Sequence, residues 1–193
     1  MTAFEWAKAN EATEPPAEFY CKTSDVWQGR LSKTDAELVR RGFNVEVARL
    51  FTAAIGEVGD NCFAHNSPGW VDIPGCWFEQ VNDKNSIHYI IADRGRGIFM
   101  SLRTVKPSLQ SYKEALLTAL TERITGRAPE NRGNGLKFVM SVLAQLKHGS
   151  FSLQSGSAKF DCIMPLDTEK IAEYITDVSE EIRGTYCEIK VTF

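Results

Sequence analysis

Glu57, Asn61 and His65 stand four residues apart in the stretch FTAAIGEVGDNCFAHNSPGW, residues 51–70, with Asp60 beside them. On a helix, that spacing puts a carboxylate, an amide and an imidazole on roughly one face. The other residues are Ala, Ile, Val and Phe at helical spacing, so a polar stripe runs along an otherwise apolar helix. An ionised carboxylate in such a place is costly unless it is exposed, paired or liganded. An Asn offers an amide oxygen to a hard cation such as Mg²⁺. A Glu one turn away can orient or deprotonate a water. Taken alone, the stripe is also what the solvated face of an ordinary amphipathic helix presents.

Two further groups could do chemistry. In IIADRGRGI, residues 90–98, Asp93 ends an apolar strand and Gly95 and Gly97 follow. A carboxylate there can accept from a ligand amine, such as the exocyclic group of adenine, and the glycines permit close backbone approach. An ordinary strand-to-turn exit uses the same residue types. In NRGNGLKFV, residues 131–139, Gly133 and Gly135 precede a helix. Free N–H groups and the positive helix end favour an anion there. Arg127, Arg132 and Lys137 add positive charge, although a flexible linker with a glycine entry would read alike. The familiar phosphate motifs do not fit. No GxxxxGK[ST] occurs, and Asp93 precedes its glycines where a dinucleotide fold needs the reverse order.

The elements that must position these groups can be read in order. Residues 1–33 carry two prolines and scattered aromatics without a lasting period, and read as an arm that packs on a body or a partner. Helical periodicity runs from Thr34 to about Asn66, with a break at Arg41-Gly42, and NSPGW ends it. CWFEQV and SIHYIIAD read as two strands joined by a turn at 82–85. A helix is expected over 109–124, a polar loop over 125–135, and a strong helix in LKFVMSVLAQL. Short strands are expected at SFSLQS and AKFDCIM, a polar helix over roughly 167–182, and a closing strand in GTYCEIKVTF. The order predicts an α+β fold, an α/β sandwich whose helices pack on one face of a mixed, mostly antiparallel sheet.

In this order and spacing, EVGDNCFAH, DRGRGI and RGNGLKFV together resemble the N box and the two glycine boxes of the GHKL ATPase family. That family holds gyrase-type, chaperone-type and mismatch-repair ATPases and histidine-kinase catalytic domains. The resemblance covers about residues 44–193. It implies a histidine-kinase-like ATP-binding domain over 34–193 behind the arm at 1–33, with a lid over about 103–135. It implies ATP and Mg²⁺ as ligands, with Asn61 on the metal and Glu57 as general base or water-orienting acid. Asp93 would bind the adenine amine in a pocket shaped by Gly95 and Gly97. Arg132, Gly133, Gly135, Leu136 and Lys137 would close over the phosphates. Thr185, in RGTYCEIKV, matches the family's Gly-Thr strand beside adenine. His65 would support the site.

The chain departs from the family pattern at Lys137, which stands where a third glycine is common. It also lacks the phenylalanine box of many membrane-linked kinases, and resembles stand-alone members such as anti-sigma-factor-type serine kinases. The three histidines, His65, His88 and His148, lie in no phosphoacceptor context. The resemblance therefore implies an ATPase, or a kinase acting on a separate partner. A non-catalytic, nucleotide-gated module is the alternative.

The bulk numbers bound these readings. The chain has 193 residues, 43% of them apolar, which suits one compact domain. A net charge of -3 gives no reason to expect nucleic acid as a partner. No signal peptide and no membrane-spanning segment are expected. Five scattered cysteines, Cys21, Cys62, Cys76, Cys162 and Cys187, read as reduced thiols of a cytoplasmic protein. Cys62, His65 and Cys76 lack a clear fourth zinc ligand. The expected partners are ATP or ADP, a regulatory or substrate protein and a second copy of the chain, with no membrane. The arm and PGWVDIPGCWF, residues 68–78, are either contact surfaces or folded against the sheet.

Overall fold

The computed structural model describes residues 1–66, 70–124 and 135–192. Its longest helix, α4 (Val45–Ala64), forms where the sequence predicts one. The Asn44 side chain caps it by accepting from the Glu46 N–H at 2.8 Å. Ala48, Phe51, Ile55, Val58 and Cys62 recur at three- and four-residue steps, and all are buried. Before it, α3 (Thr34–Arg40) ends at Arg41-Gly42, where Gly42 takes φ +100°.

The strands form a five-stranded antiparallel sheet. β2 (Cys76–Asn82) and β3 (Ser86–Asp93) are the predicted hairpin. β1 (Tyr20–Cys21), β4 (Gly149–Ile163) and β5 (Ile175–Thr192) complete the order β1-β2-β3-β5-β4. Every pairing among the described residues is antiparallel, so the parallel component allowed for in the sequence reading is not seen there. Alternation sorts β3 and β5: Ile87, Tyr89, Ile91, Cys187, Ile189 and Val191 face one core, with Phe51, Ile55 and Val58 of α4. α6 (Tyr112–Thr121) and α7 (Gly135–Leu143) add Leu116, Leu120, Val139 and Leu143 to that core. α5 (Gly97–Arg103) follows β3 directly, a short helix absent from the sequence reading.

Three sequence expectations are corrected. Residues 1–33 are not irregular: they contain α1 (Ala3–Lys8), β1 and α2 (Ser24–Leu31). These elements are too short for a period to show, and tertiary packing sustains them. The polar helix expected over 167–182 is a 3₁₀ turn, Thr168–Tyr174, after which β5 begins at Ile175. Ile175, Val178 and Ile182 stand at helical steps of three and four, but backbone pairing of this segment with β4 outweighs that local pattern. The two short strands expected at 150–164 are one long strand, β4, with register shifts near Ser155 and Gly156.

The N-terminal segment packs on the body of the protein. Trp27 of α2 donates its indole N–H to Asp60 Oδ1 at 2.8 Å, and Gln28 donates to the same oxygen at 2.7 Å. Asp60, beside the polar stripe of α4, thus has a structural task. α1 lies on the opposite sheet face, where Trp6 and Ala7 pack with Trp77, Ala92 and Tyr186. Trp77 is therefore core, while half-buried Trp70 sets its ring edge-on to Phe63 at 6.1 Å.

A buried cation secures α1. Arg94 is 0% exposed. It donates to both carboxylate oxygens of Asp72 and to the carbonyls of Trp6 and Ala9. Burial acts to raise the Asp72 carboxyl, but hydrogen bonds from Arg94 and the Ile73 N–H, with the charges of Arg94 and Arg183, hold it below its ordinary value. Replacing Arg94 by Ala strands Asp72 and two backbone carbonyls, and should cost about 3 kcal/mol. Urea denaturation measures this, and limited proteolysis should then release the first residues ahead of the rest. Unchanged stability would contradict a structural Arg94.

Candidate functional site

Strand register brings one row of side chains across the sheet. Cys21 pairs with Cys76, Cys76 with Asp93, Asp93 with Thr185, and Thr185 with Ser155. Directly opposed residues share a face, so this row lies beneath the C-terminal end of α4. Asp93 is its centre and is 2% exposed.

A carboxylate that deep needs donors. Asp93 Oδ1 accepts from Asn66 Nδ2 at 3.1 Å and from the Gly95 N–H at 2.7 Å. The Thr185 hydroxyl donates to Oδ2. Burial pushes the Asp93 carboxyl above its ordinary value of 3.8, and the donors from Thr185, Gly95 and Asn66 oppose that. Asn66 is fixed in turn. It donates to the Cys62 carbonyl at 2.8 Å, and its Oδ1 accepts from the Arg96 N–H at 3.0 Å.

The glycines here answer to close approach. A Cβ on Gly95 would fall 2.0 Å from the Asn66 amide. Gly184 takes φ +65°, and a Cβ there would fall 2.2 Å from the Asp93 carbonyl oxygen. This kink lies where the β4–β5 register shifts, and it brings Thr185 onto the carboxylate. Gly97 opens α5 at φ +70°, beside Ser155. The Ser155 hydroxyl accepts from the Ile98 N–H at 2.9 Å and donates to the Gly184 carbonyl at 3.0 Å.

A second cluster forms where α4 meets the start of α7. A Cβ on Gly135 would lie 2.6 Å from Glu57 Oε2 and 3.7 Å from Asn61 Nδ2. Glu57 is exposed and Asn61 half-buried, so both reach solvent beside the first turn of α7. The N–H groups of that turn have no partner in their own helix, which favours an anion beside them. Leu136 is half-buried against the core, and Lys137 is exposed. Arg132 and Gly133, with Arg127 and most of the expected lid's second half, lie outside the described residues. His65 Nδ1 lies 3.2 Å from the Ser101 hydroxyl, linking the end of α4 to α5.

The structure thus gathers Asp93, Gly95, Gly97 and Thr185 at one end of β3, and Gly135 beside Asn61 and Glu57, which stand about one and two α4 turns before the His65-Asn66 end. It adds Asn66, Ser155 and Gly184, which the sequence reading did not single out. Gly184 stands directly before Thr185 and could have been noticed. Asn66 and Ser155 carry no local signal, because their partners are 27 and 29 residues away. No family model matches the chain, and no curated protein matches it.

Asp93→Asn should preserve the fold. The amide oxygen can take the bonds from Asn66 and Gly95, while its NH₂ donates to a Thr185 hydroxyl that has turned round. The raised Asp93 value sets the sign of its pH dependence. Its stabilising contribution is full below the ordinary carboxyl value and is lost as pH rises through the raised one. The wild-type melting temperature should therefore fall relative to that of Asp93→Asn as pH rises above the ordinary carboxyl value of 3.8. A constant difference above that value would contradict a buried carboxylate that ionises there.

Proposed function

We propose that the chain binds Mg²⁺-ATP in the manner of the GHKL family, and hydrolyses ATP or phosphorylates a separate partner protein. One observation carries the reading. A buried carboxylate, Asp93, is held by Thr185, Asn66 and the Gly95 N–H at the end of a strand, while α4 sets Glu57 and Asn61 against the start of α7. The first arrangement suits an amine-bearing base. The second suits phosphates.

In this reading Asp93 Oδ2, with one donor from Thr185, keeps room to accept from the adenine amine. The first turn of α7, with Gly135 and Lys137, would hold the phosphates, and the resemblance assigns Arg132 and Gly133, outside the described residues, to the same task. Among the described residues, no group of three His, Cys, Asp or Glu is placed to hold a metal. One Asn61 amide oxygen nevertheless fits Mg²⁺, which is usually held by phosphates and water with few protein ligands. The metal would neutralise phosphate charge. Glu57 then orients a water or an acceptor hydroxyl for attack and takes its proton. Positioning and electrostatics would carry most of the rate.

A nucleotide-gated binding module remains the second reading. It is favoured by the adjacency of Asp93 and Arg94, which face opposite sides of the sheet and bond the turn after β3 and the end of α1 respectively. Among the described residues no helix is long and apolar enough to cross a membrane. A cytoplasmic location, and a regulatory partner or second copy of the chain, belong to the proposal.

The two readings divide at Glu57. Glu57→Gln should lower turnover at least a hundredfold, as loss of a general base does. It should leave ATP binding intact or tighter, because a negative charge leaves the phosphate site. Asn61→Ala should weaken binding only when Mg²⁺ is present. Steady-state phosphate release and calorimetry read these outcomes. Equal turnover in Glu57→Gln would remove Glu57 as the base, and nucleotide binding without turnover in the wild type would leave the gated module.

A further inference from the structure

Three of the five cysteines, from three distant segments, meet beneath the sheet row. Cys21 of β1 and Cys76 of β2 are directly opposed partners on the inner face, and Cys62 of α4 packs over Cys76. All three are free thiols and are at most 1% exposed. A disulfide requires Cα atoms roughly 4.4–6.8 Å apart, a range that includes the about 4.5–5.5 Å between opposed residues of an antiparallel pair. The backbones are also close here: a Cβ on Gly75 would fall 2.3 Å from the Cys21 carbonyl oxygen.

We propose that Cys21 and Cys76 are a thiol-modification site, at which a peroxide converts the pair reversibly to an intramolecular disulfide. The location favours it. β1 is a two-residue edge strand, so little backbone pairing must open to admit a small oxidant. Arg30 is fixed beside it by donating to the Tyr20 carbonyl at 3.2 Å.

The two thiols are unequal. The Cys76 thiol, followed in effect by the Arg30 charge, holds the Cys21 thiol below its usual range against the cost of burial. Contact with Cys21 and Cys62, together with burial, pushes Cys76 well above that range. Cys21, on the edge strand with Arg30 fixed beside it, is the attacking thiolate. Its sulfur attacks one peroxide oxygen, the O–O bond breaks, and water leaves with a proton from solvent. The resulting Cys21 sulfenic acid is attacked by the Cys76 sulfur. The S–O bond breaks, the S–S bond forms, and the Cys76 proton leaves with hydroxide as a second water. Two thiols lose two electrons and the peroxide gains them, and an added dithiol reverses the change.

Cys62 extends the consequence. Its thiol interacts with Cys76 and with the Asp93 carboxylate, and Cys76 itself stands opposite Asp93, so the modified pair borders the candidate site. The proposal itself does not depend on what that site binds.

The test is peptide mapping of the intact protein after hydrogen peroxide, with free thiols blocked before digestion without reductant. The expected product is a Cys21–Cys76 linked peptide lighter by two hydrogens, which disappears with dithiothreitol. Cys21→Ser should abolish the link. Cys62→Ser, with its fold checked by circular dichroism, should retain it. Recovery of Cys21 and Cys76 as separately blocked or over-oxidised peptides would overturn the proposal, as would Cys62–Cys76 as the principal link.

Discussion

The burial of the Asp93 carboxylate constrains everything around it. A carboxyl with almost no exposure must be given donors or remain a neutral, costly defect. Its donors come from three places: Asn66 just past the C-terminal end of α4, Gly95 in the turn after β3, and Thr185 on β5. Each then imposes a demand of its own. Asn66 requires a residue without a side chain at position 95, and Thr185 requires the kinked backbone at Gly184. Ser155 closes the circle by bonding both that kink and the start of α5. The sheet, the long helix and α5 therefore meet at one charged group.

The next residue carries an opposite charge to the opposite face. Arg94 sends its guanidinium through the outer layer to Asp72, to the Trp6 carbonyl in α1 and to the Ala9 carbonyl just past it. Consecutive residues of one chain thus hold the candidate site and the N-terminal segment. A strand-end backbone cannot shift at one without shifting at the other. That link gives a gated module a physical basis, because a partner that lifts α1 also disturbs the turn that donates to Asp93.

Much of this was legible in the sequence, for reasons that differ by element. α4 announced itself through its apolar spacing and its breakers, and Asp93 through its place between an apolar run and paired glycines. Gly135 is far from Glu57 and Asn61 in the chain, and it was the resemblance of the three motifs in their order that grouped them. Other features had no local signal. α1 spans six residues, less than two helical turns, and is stabilised by Trp6 against Trp77 and by Arg94. The segment after Thr168 is rich in charge and looked helical, but its backbone finds partners on β4. Asn66 and the thiol cluster are products of long-range register, which composition cannot reveal. Asp60 looked like part of the polar stripe until α2 was seen to end its indole and amide on it.

The most direct test of the central claim is a calorimetric titration of the wild-type protein with ATP and, separately, GTP, each with Mg²⁺. In the proposed reading a buried acceptor at Asp93 would accept from the amine of adenine and would repel the carbonyl that guanine carries in that place. The account predicts saturable binding of ATP and at least tenfold weaker binding of GTP, as expected when a buried polar group is left unpaired. Equal affinity for the two, or no saturable binding of either, would contradict it.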